Sequence, residues 1–211
     1  INHDDFMLIP IMENNFFKLN NGLEKIQIKY ETDISDFPML LGDQKYGYGK
    51  MSDATLKSMY EGNDVFSAEA VGGVFSEQIS LDEVKNKLTC IDTITRFDPF
   101  IGEQLPDTII YYIPDITALR VLELNDGKNV FPVAICLGRI KYDDEGNSVG
   151  TRPILWVPIN HQLITELDRS QAYLPGYPQQ LTLWGYLLSG MYKGKIVSER
   201  PIDNAEWQRM R

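Results

Sequence analysis

His3 and His161 are the only histidines in the 211-residue chain, and Cys90 and Cys136 the only cysteines. Few residues are therefore on hand for nucleophilic or metal chemistry. The best arrangement would join His161 to Cys136, to Cys90 or to a serine, with a carboxylate such as Asp168 orienting the imidazole. A hydrolase built on Cys136 and His161 is the enzymatic alternative, but no G-x-S-x-G elbow accompanies those residues. No H-x-x-x-H, H-x-E or C-x-x-C spacing is present to hold zinc. Thirty acidic side chains leave a carboxylate dyad open, yet nothing in their spacing selects one pair. Gly47-Tyr48-Gly49-Lys50 is followed by Met51, where a phosphate-binding loop requires a hydroxyl for magnesium. The acidic turn after Asp143 lacks alternating ligands ahead of Gly146 and a glutamate at the twelfth position, so it reads as a solvated hairpin tip and not as a calcium loop. The expectation is a chain with no catalytic, cofactor or metal site.

The residues that remain suit contact with another protein. Trp184 and Tyr192 lie on or near the last strong helical pattern, followed by Lys193, Lys195 and Arg200, then Trp207, Arg209 and Arg211. Aromatic rings interleaved with cations are the usual anchors of protein interfaces. Trp184, Tyr192, Lys193, Lys195, Arg200 and Trp207 are the expected partner surface. The plainer reading has equal weight: a helix packed on a sheet, with a charged tail. Trp156, inside an apolar run, reads as core.

Charge narrows the partners. Twenty Lys and Arg against thirty Asp and Glu give a net charge of −10. Residues 1–100 hold nine basic and seventeen acidic side chains, net −8, and residues 101–211 hold eleven and thirteen, net −2. Nucleic acid and anionic membrane surfaces would be repelled by most of the chain. There is no run of apolar residues long enough for a membrane span, so no direct insertion is expected. No signal peptide is visible; the sequence starts at Ile1, which leaves an upstream segment and export open. An apolar fraction of 43% and a charged fraction of 24% are ordinary for a globular domain with a real core. Two cysteines exclude a disulfide-rich scaffold. Buried thiols at Cys90 and Cys136 are favoured over one disulfide between them.

The positioning elements follow from pattern. Residues 1–50 are rich in Asn, Asp and Gly and read as an N-terminal arm or irregular segment, with one alternating strand from Leu23 to Tyr30. Gly42 to Gly49 reads as a loop. Residues 51–211 read as a single domain. Ser52 is expected to cap a helix over Asp53 to Tyr60, with Leu56 and Tyr60 on one face and Gly62 ending it. Ser80-Leu81-Asp82-Glu83 is a capping box opening a helix with Leu81, Val84 and Leu88 buried. Gly72-Gly73 marks a loop between the two helices. After Phe97-Asp98-Pro99, strands are expected at Thr108 to Ile113 and Leu119 to Leu124 as one pair, and at Val130 to Tyr142 and Thr151 to Ile159 as a second. The second pair is joined by Asp143 to Ser148 as a hairpin. Asn160 should cap a helix carrying Leu163, Ile164 and Leu167. A loop with Pro175 and Pro178 precedes Thr182, cap of a last helix with Leu183, Trp184, Leu187, Leu188 and Met191. Strands grouped between helices give an α+β fold: a central, mostly antiparallel sheet with short helices before and after it.

The order of these segments resembles the GldN/PorN family of gliding-motility and type IX secretion proteins. The residues that carry the resemblance are Asp115-Ile116-Thr117-Ala118-Leu119-Arg120-Val121-Leu122-Glu123, then Val133 to Gly138, Arg152-Pro153-Ile154-Leu155-Trp156, and Leu181-Thr182 with Ser189-Gly190-Met191-Tyr192-Lys193. Upstream, Thr55 to Gly62 and Ile79 to Val84 are similar to the family's short helices. Coverage runs from about residue 52 to 200; the first fifty residues carry no match. The chain departs from the family after the D-I-T segment, where Leu122-Glu123-Leu124-Asn125 replaces aromatic and acidic residues. It also has no arginine in Thr182 to Leu188. The resemblance implies a periplasmic, non-enzymatic protein associated with the outer membrane. Such a protein would form a ring-like homo-oligomer with a GldK/PorK-like lipoprotein and contact the periplasmic part of a GldM/PorM-like motor component. A different class of reading is a single-partner binding module, such as an immunity protein, since small acidic α+β domains serve that role.

Overall fold

The computed structural model describes residues 27–33, 50–111, 116–125, 130–172, 181–190, 192, 195–201 and 204–210. Eight strands and five helices are found among them: β1 (Gln27–Asp33), α1 (Met51–Tyr60), β2 (Phe66–Ser67), α2 (Leu81–Leu88), β3 (Cys90–Asp98), β4 (Glu103–Tyr111), β5 (Ala118–Asn125), β6 (Val130–Tyr142), β7 (Ser148–Pro158), α3 (His161–Asp168), α4 (Leu183–Leu188), β8 (Lys195–Pro201) and α5 (Asn204–Met210). Six strands form one antiparallel sheet in the order β2-β7-β6-β5-β1-β8, and β3 pairs with β4 in a separate two-stranded sheet. The α+β architecture expected from the segment order is the one observed.

The central strands are apolar at successive positions because both faces of the sheet are covered. Side chains alternate across a strand, so neighbouring residues must enter different clusters. Leu119 and Val121 of β5, Ile135 and Leu137 of β6, and Leu155 and Val157 of β7 join one core. On that face lie Met51 and Met59 of α1, Val84 and Leu88 of α2, Leu163 and Leu167 of α3, and Leu183 and Leu187 of α4. Leu122, Leu124, Ala134, Cys136 and Trp156 turn the other way and meet Val74 and Phe75 of the loop after β2. Helices on one face and a loop on the other give the sheet its two cores.

Gly138 interrupts β6 where its register with β7 shifts. A Cβ there would stand 2.7 Å from the Arg152 carbonyl oxygen, so only glycine lets the two backbones come this close.

The hairpin of β6 and β7 is present as the sequence indicated, closed by the turn after Asp143. The other expected pair is not. β4 ends at Tyr111 and pairs with β3, whereas β5 pairs with β6 and β1. The alternation ahead of Phe97 is itself a strand, and Asp98 to Gly102 is its turn. The strand expected at Leu23 to Tyr30 is found as Gln27–Asp33, between β5 and β8; residues 23–26 lie outside the described residues. So do the loops expected at Gly42 to Gly49 and at Pro175 to Pro178.

Local details correct two further expectations. Ser52 is inside α1 and buried, and Lys50 occupies the N-cap with no side-chain cap. The buried hydroxyls of this helix turn back on its own carbonyls: Thr55 Oγ1 donates to Met51 O at 2.7 Å and Ser58 Oγ to Thr55 O at 3.0 Å. Of the two residues expected on one face of this helix, Leu56 is buried and Tyr60 exposed; Gly62 follows the helix at φ +105°. At α2 the capping box is complete, with the Glu83 N–H donating to Ser80 Oγ and the Ser80 N–H donating to Glu83 Oε2 at 2.7 Å. Val84 and Leu88 are fully buried, whereas Leu81, in the first turn, is 41% exposed. Asn160 Oδ1 and Thr182 Oγ1 cap α3 and α4 as expected.

Ser80→Ala is expected to lower stability by about 1 kcal/mol, the usual worth of a lost N-cap. Donors on Ser80, first its backbone N–H and then its hydroxyl, hold the Glu83 carboxyl below its ordinary range. A lowered folded-state pKa adds stability that is present above the carboxyl's unfolded value and lost as pH falls through the folded one. The gap between wild type and Ser80→Ala should therefore narrow on acidification, as chemical denaturation at pH 7 and pH 3 would measure.

Candidate functional site

Cys136 and His161 are not brought together. Cys136 is fully buried in β6, opposite Arg120 of β5 and Trp156 of β7, and its Sγ donates to the Leu137 carbonyl. Its neighbours are the apolar residues of the loop-covered face. His161 is exposed at the start of α3, the helix whose Leu163 and Leu167 pack on the opposite face. Asp168 ends that same helix and is also exposed. The sheet thus separates the thiol from the helix bearing the imidazole. Cys90 lies on β3 opposite Tyr111, and its side chain is outside the described residues.

Asp143 is committed to its own turn. Its Oδ1 accepts from the N–H of Asn147 at 2.8 Å and of Glu145 at 3.0 Å, and its Oδ2 from the Asn147 amide. The Asn147 N–H beside it is the main cause that keeps its carboxyl below the usual range. Among the described residues no three His, Cys, Asp or Glu side chains gather as a metal site would require.

The residues expected at a partner surface separate into two groups. Tyr192 is 8% exposed and belongs to the helix-covered core, against which Trp184 packs half-buried. Arg200, on β8, is half-buried and forms a two-pronged ion pair with Glu206 of α5, itself 1% exposed. Arg209 of α5 reaches the loop on the other core, donating to Val74 O at 3.2 Å and Gly72 O at 3.0 Å. That loop has the strained geometry such an approach needs. Gly73 has φ +88°, and a Cβ on it would meet Glu206 Oε1 at 2.7 Å; Phe75 adopts φ +60°. Arginine here clasps the chain to itself. Lys193 lies outside the described residues, as do the side chains of Lys195 and Trp207.

The feature most suited to contact was not anticipated. β3 and β4 pair over nine positions, from Cys90 opposite Tyr111 to Asp98 opposite Glu103, and pair with no other strand among the described residues. At the tip Phe100 is 96% exposed and Ile101 57% exposed. Their exposure is not that of a loose loop. The Phe100 N–H donates to Asp98 Oδ1 at 2.8 Å, the Gly102 N–H donates to Asp98 O at 2.8 Å, and Gly102 takes φ +72°. A turn fixed in this way presents an aromatic ring to solvent with its backbone already ordered, which lowers the entropy lost on docking. Asp98-Pro99 followed by Gly102 was the available signal; the sequence reading takes it only as the point after which strands begin, the first of them at Thr108.

No family model and no curated protein matches the chain.

Proposed function

We propose that this chain is a non-enzymatic assembly component of a cell-envelope secretion or motility machine. In this reading it is periplasmic and held at the outer membrane by a GldK/PorK-like lipoprotein, and it touches a GldM/PorM-like periplasmic domain. It works by repeated contact between copies, with no bond made or broken. The order of segments that resembles the GldN/PorN family supports the reading. The single observation that carries it is the ordered two-stranded arm with Phe100 at its tip, an aromatic anchor of the kind interfaces use. The fold is compatible with such a place: among the described residues no helix is long and apolar enough to cross a membrane.

Light scattering on the purified chain, alone and co-expressed with a GldK/PorK-like lipoprotein stripped of its lipid, tests the reading. Large particles of uniform size, alone or with the lipoprotein, are expected. A monomer at every concentration that also fails to co-elute with the lipoprotein would overturn it. A strict one-to-one complex with some other protein would move the assignment to the immunity-type module.

A further inference from the structure

The loop after β2 covers the Cys136 face of the sheet, and both of its ends are pinned. The Ala68 N–H donates to Ile154 O at 3.3 Å and Glu69 accepts from Arg152 Nη2 at 2.9 Å. At the far end the Ser67 N–H donates to Glu77 O at 2.9 Å and the Ile79 N–H to Val65 O at 2.9 Å. Between these pins the loop's own hydrogen bonds are local. The Gly73 N–H donates to Ala70 O at 3.4 Å, and Ser76 returns to Gly73 O through its N–H at 3.3 Å and its Oγ at 2.8 Å. Val74 and Phe75 carry the cover, packing on Leu122, Leu124, Ala134, Cys136 and Trp156. Phe75 does so at φ +60°, a conformation that costs a bulky residue free energy and persists only where neighbours enforce it.

The C-terminal helix α5 supplies that enforcement. Arg209 donates to Gly72 O and to Val74 O, one carbonyl on each side of Gly73. A Cβ on Gly73 would stand 2.7 Å from Glu206 Oε1, so helix and loop backbone are in close contact there. Glu206 is held in turn by Arg200 of β8. Contacts thus run without a break from the last strand through α5 to the loop. The contacts of Arg209 and Glu206 are polar, so undocking exchanges them for water, and it lets Phe75 relax. Gly72 and Gly73 tolerate the backbone rotation that lifting requires. Each feature lowers the free energy of opening here below that of unfolding the sheet. We propose that α5 is a strap: when it undocks, residues 70–76 lift as one unit and uncover Trp156 and Cys136, while β5, β6 and β7 stay paired. The device belongs to the single chain and does not depend on the assembly reading.

Cys136 reports the motion, because a fully buried thiol is inert until its cover leaves. The full chain, carrying Cys90→Ala so that Cys136 is the thiol read, is exposed without denaturant to an aromatic disulfide reagent, and the released aromatic thiolate is followed by absorbance. Arg209→Ala is expected to raise the labelling rate about tenfold or more, the scale of losing two hydrogen bonds from a charged donor. Arg200→Ala should do the same from the far end of the strap. Ser80→Ala is the control. It weakens α2 on the opposite face and lowers global stability, yet it should change the labelling rate by no more than about twofold if opening is local. Circular dichroism checks that each variant is folded, and chemical denaturation measures its global loss. The proposal is overturned if Arg209→Ala labels at the wild-type rate. It is equally overturned if all three variants speed labelling in proportion to the global stability each loses, since the thiol is then reached by unfolding of the whole domain.

Discussion

Trp156→Ala is expected to destabilise the protein by about 3–5 kcal/mol, the range for removing a large buried aromatic side chain. Trp156 is 3% exposed, on β7 between two paired neighbours, with Cys136 of β6 opposite on one side and Phe66 of β2 opposite on the other. Phe66 in turn meets Phe75, ring centroids 5.0 Å apart. The indole therefore bridges the sheet to the loop that covers it. That loop has little freedom to collapse into the space left behind, because Phe75 and Gly73 are fixed at positive φ. For a chain of this length the loss corresponds to a fall in melting temperature of roughly 10 °C. Trp156→Phe should recover part of it, since an aromatic ring still fills some of the volume. A loss below about 1 kcal/mol for the alanine variant would mean that the loop does not pack on the sheet as described.

The legibility of the fold in the sequence follows the range of the forces involved. Caps were readable because their hydrogen bonds join residues two or three apart: Asn160 to Gln162 and Leu163, Ser80 to Glu83, Thr182 to Gly185. The β6–β7 hairpin was readable because its turn chemistry lies between two apolar runs. Pairing across longer distances was not. Leu119 to Leu124 is compatible with any apolar neighbour, and its partners proved to be β6 and β1, the latter from a segment that reads as an arm. Polar residues misled in the other direction. Ser52 has the chemistry of a cap, yet α1 begins one residue earlier and buries it. Nothing local tells that Met51 must be fully buried.

At the candidate site the same limit applies. Residue types alone made Arg200 and Tyr192 resemble interface anchors, because Trp, Tyr and Arg serve both surfaces and cores. Only the fold separates these uses: Tyr192 packs in the helix-covered core, and Arg200 neutralises a buried carboxylate. The arm carried no sequence reading at its tip, because the exposure of Phe100 and Ile101 depends on β3 and β4 pairing only with each other among the described residues.

Arg200→Ala should release the C-terminal helix and leave the rest of the sheet folded. Glu206 is 1% exposed and faces Arg200 through both carboxylate oxygens. Removing the cation strands a buried charge, a change that costs about 3–5 kcal/mol where the site cannot open. Here it can open. α5 is seven residues long, and it reaches the 72–74 loop through the Arg209 hydrogen bonds. Undocking lets Glu206 regain water, so the expected loss lies near the lower end of that range. In hydrogen exchange the amides of α5 and of the 72–76 loop should lose protection, while those of β5, β6 and β7 keep theirs. The double variant Arg200→Ala with Glu206→Gln separates the two possible origins of the loss. If a stranded charge is responsible, the neutral glutamine restores most of the protection even though the ion pair is gone. If the attraction itself holds the helix, the double variant is no better than the single one, and the C-terminal segment depends on the bridge for its place on the loop.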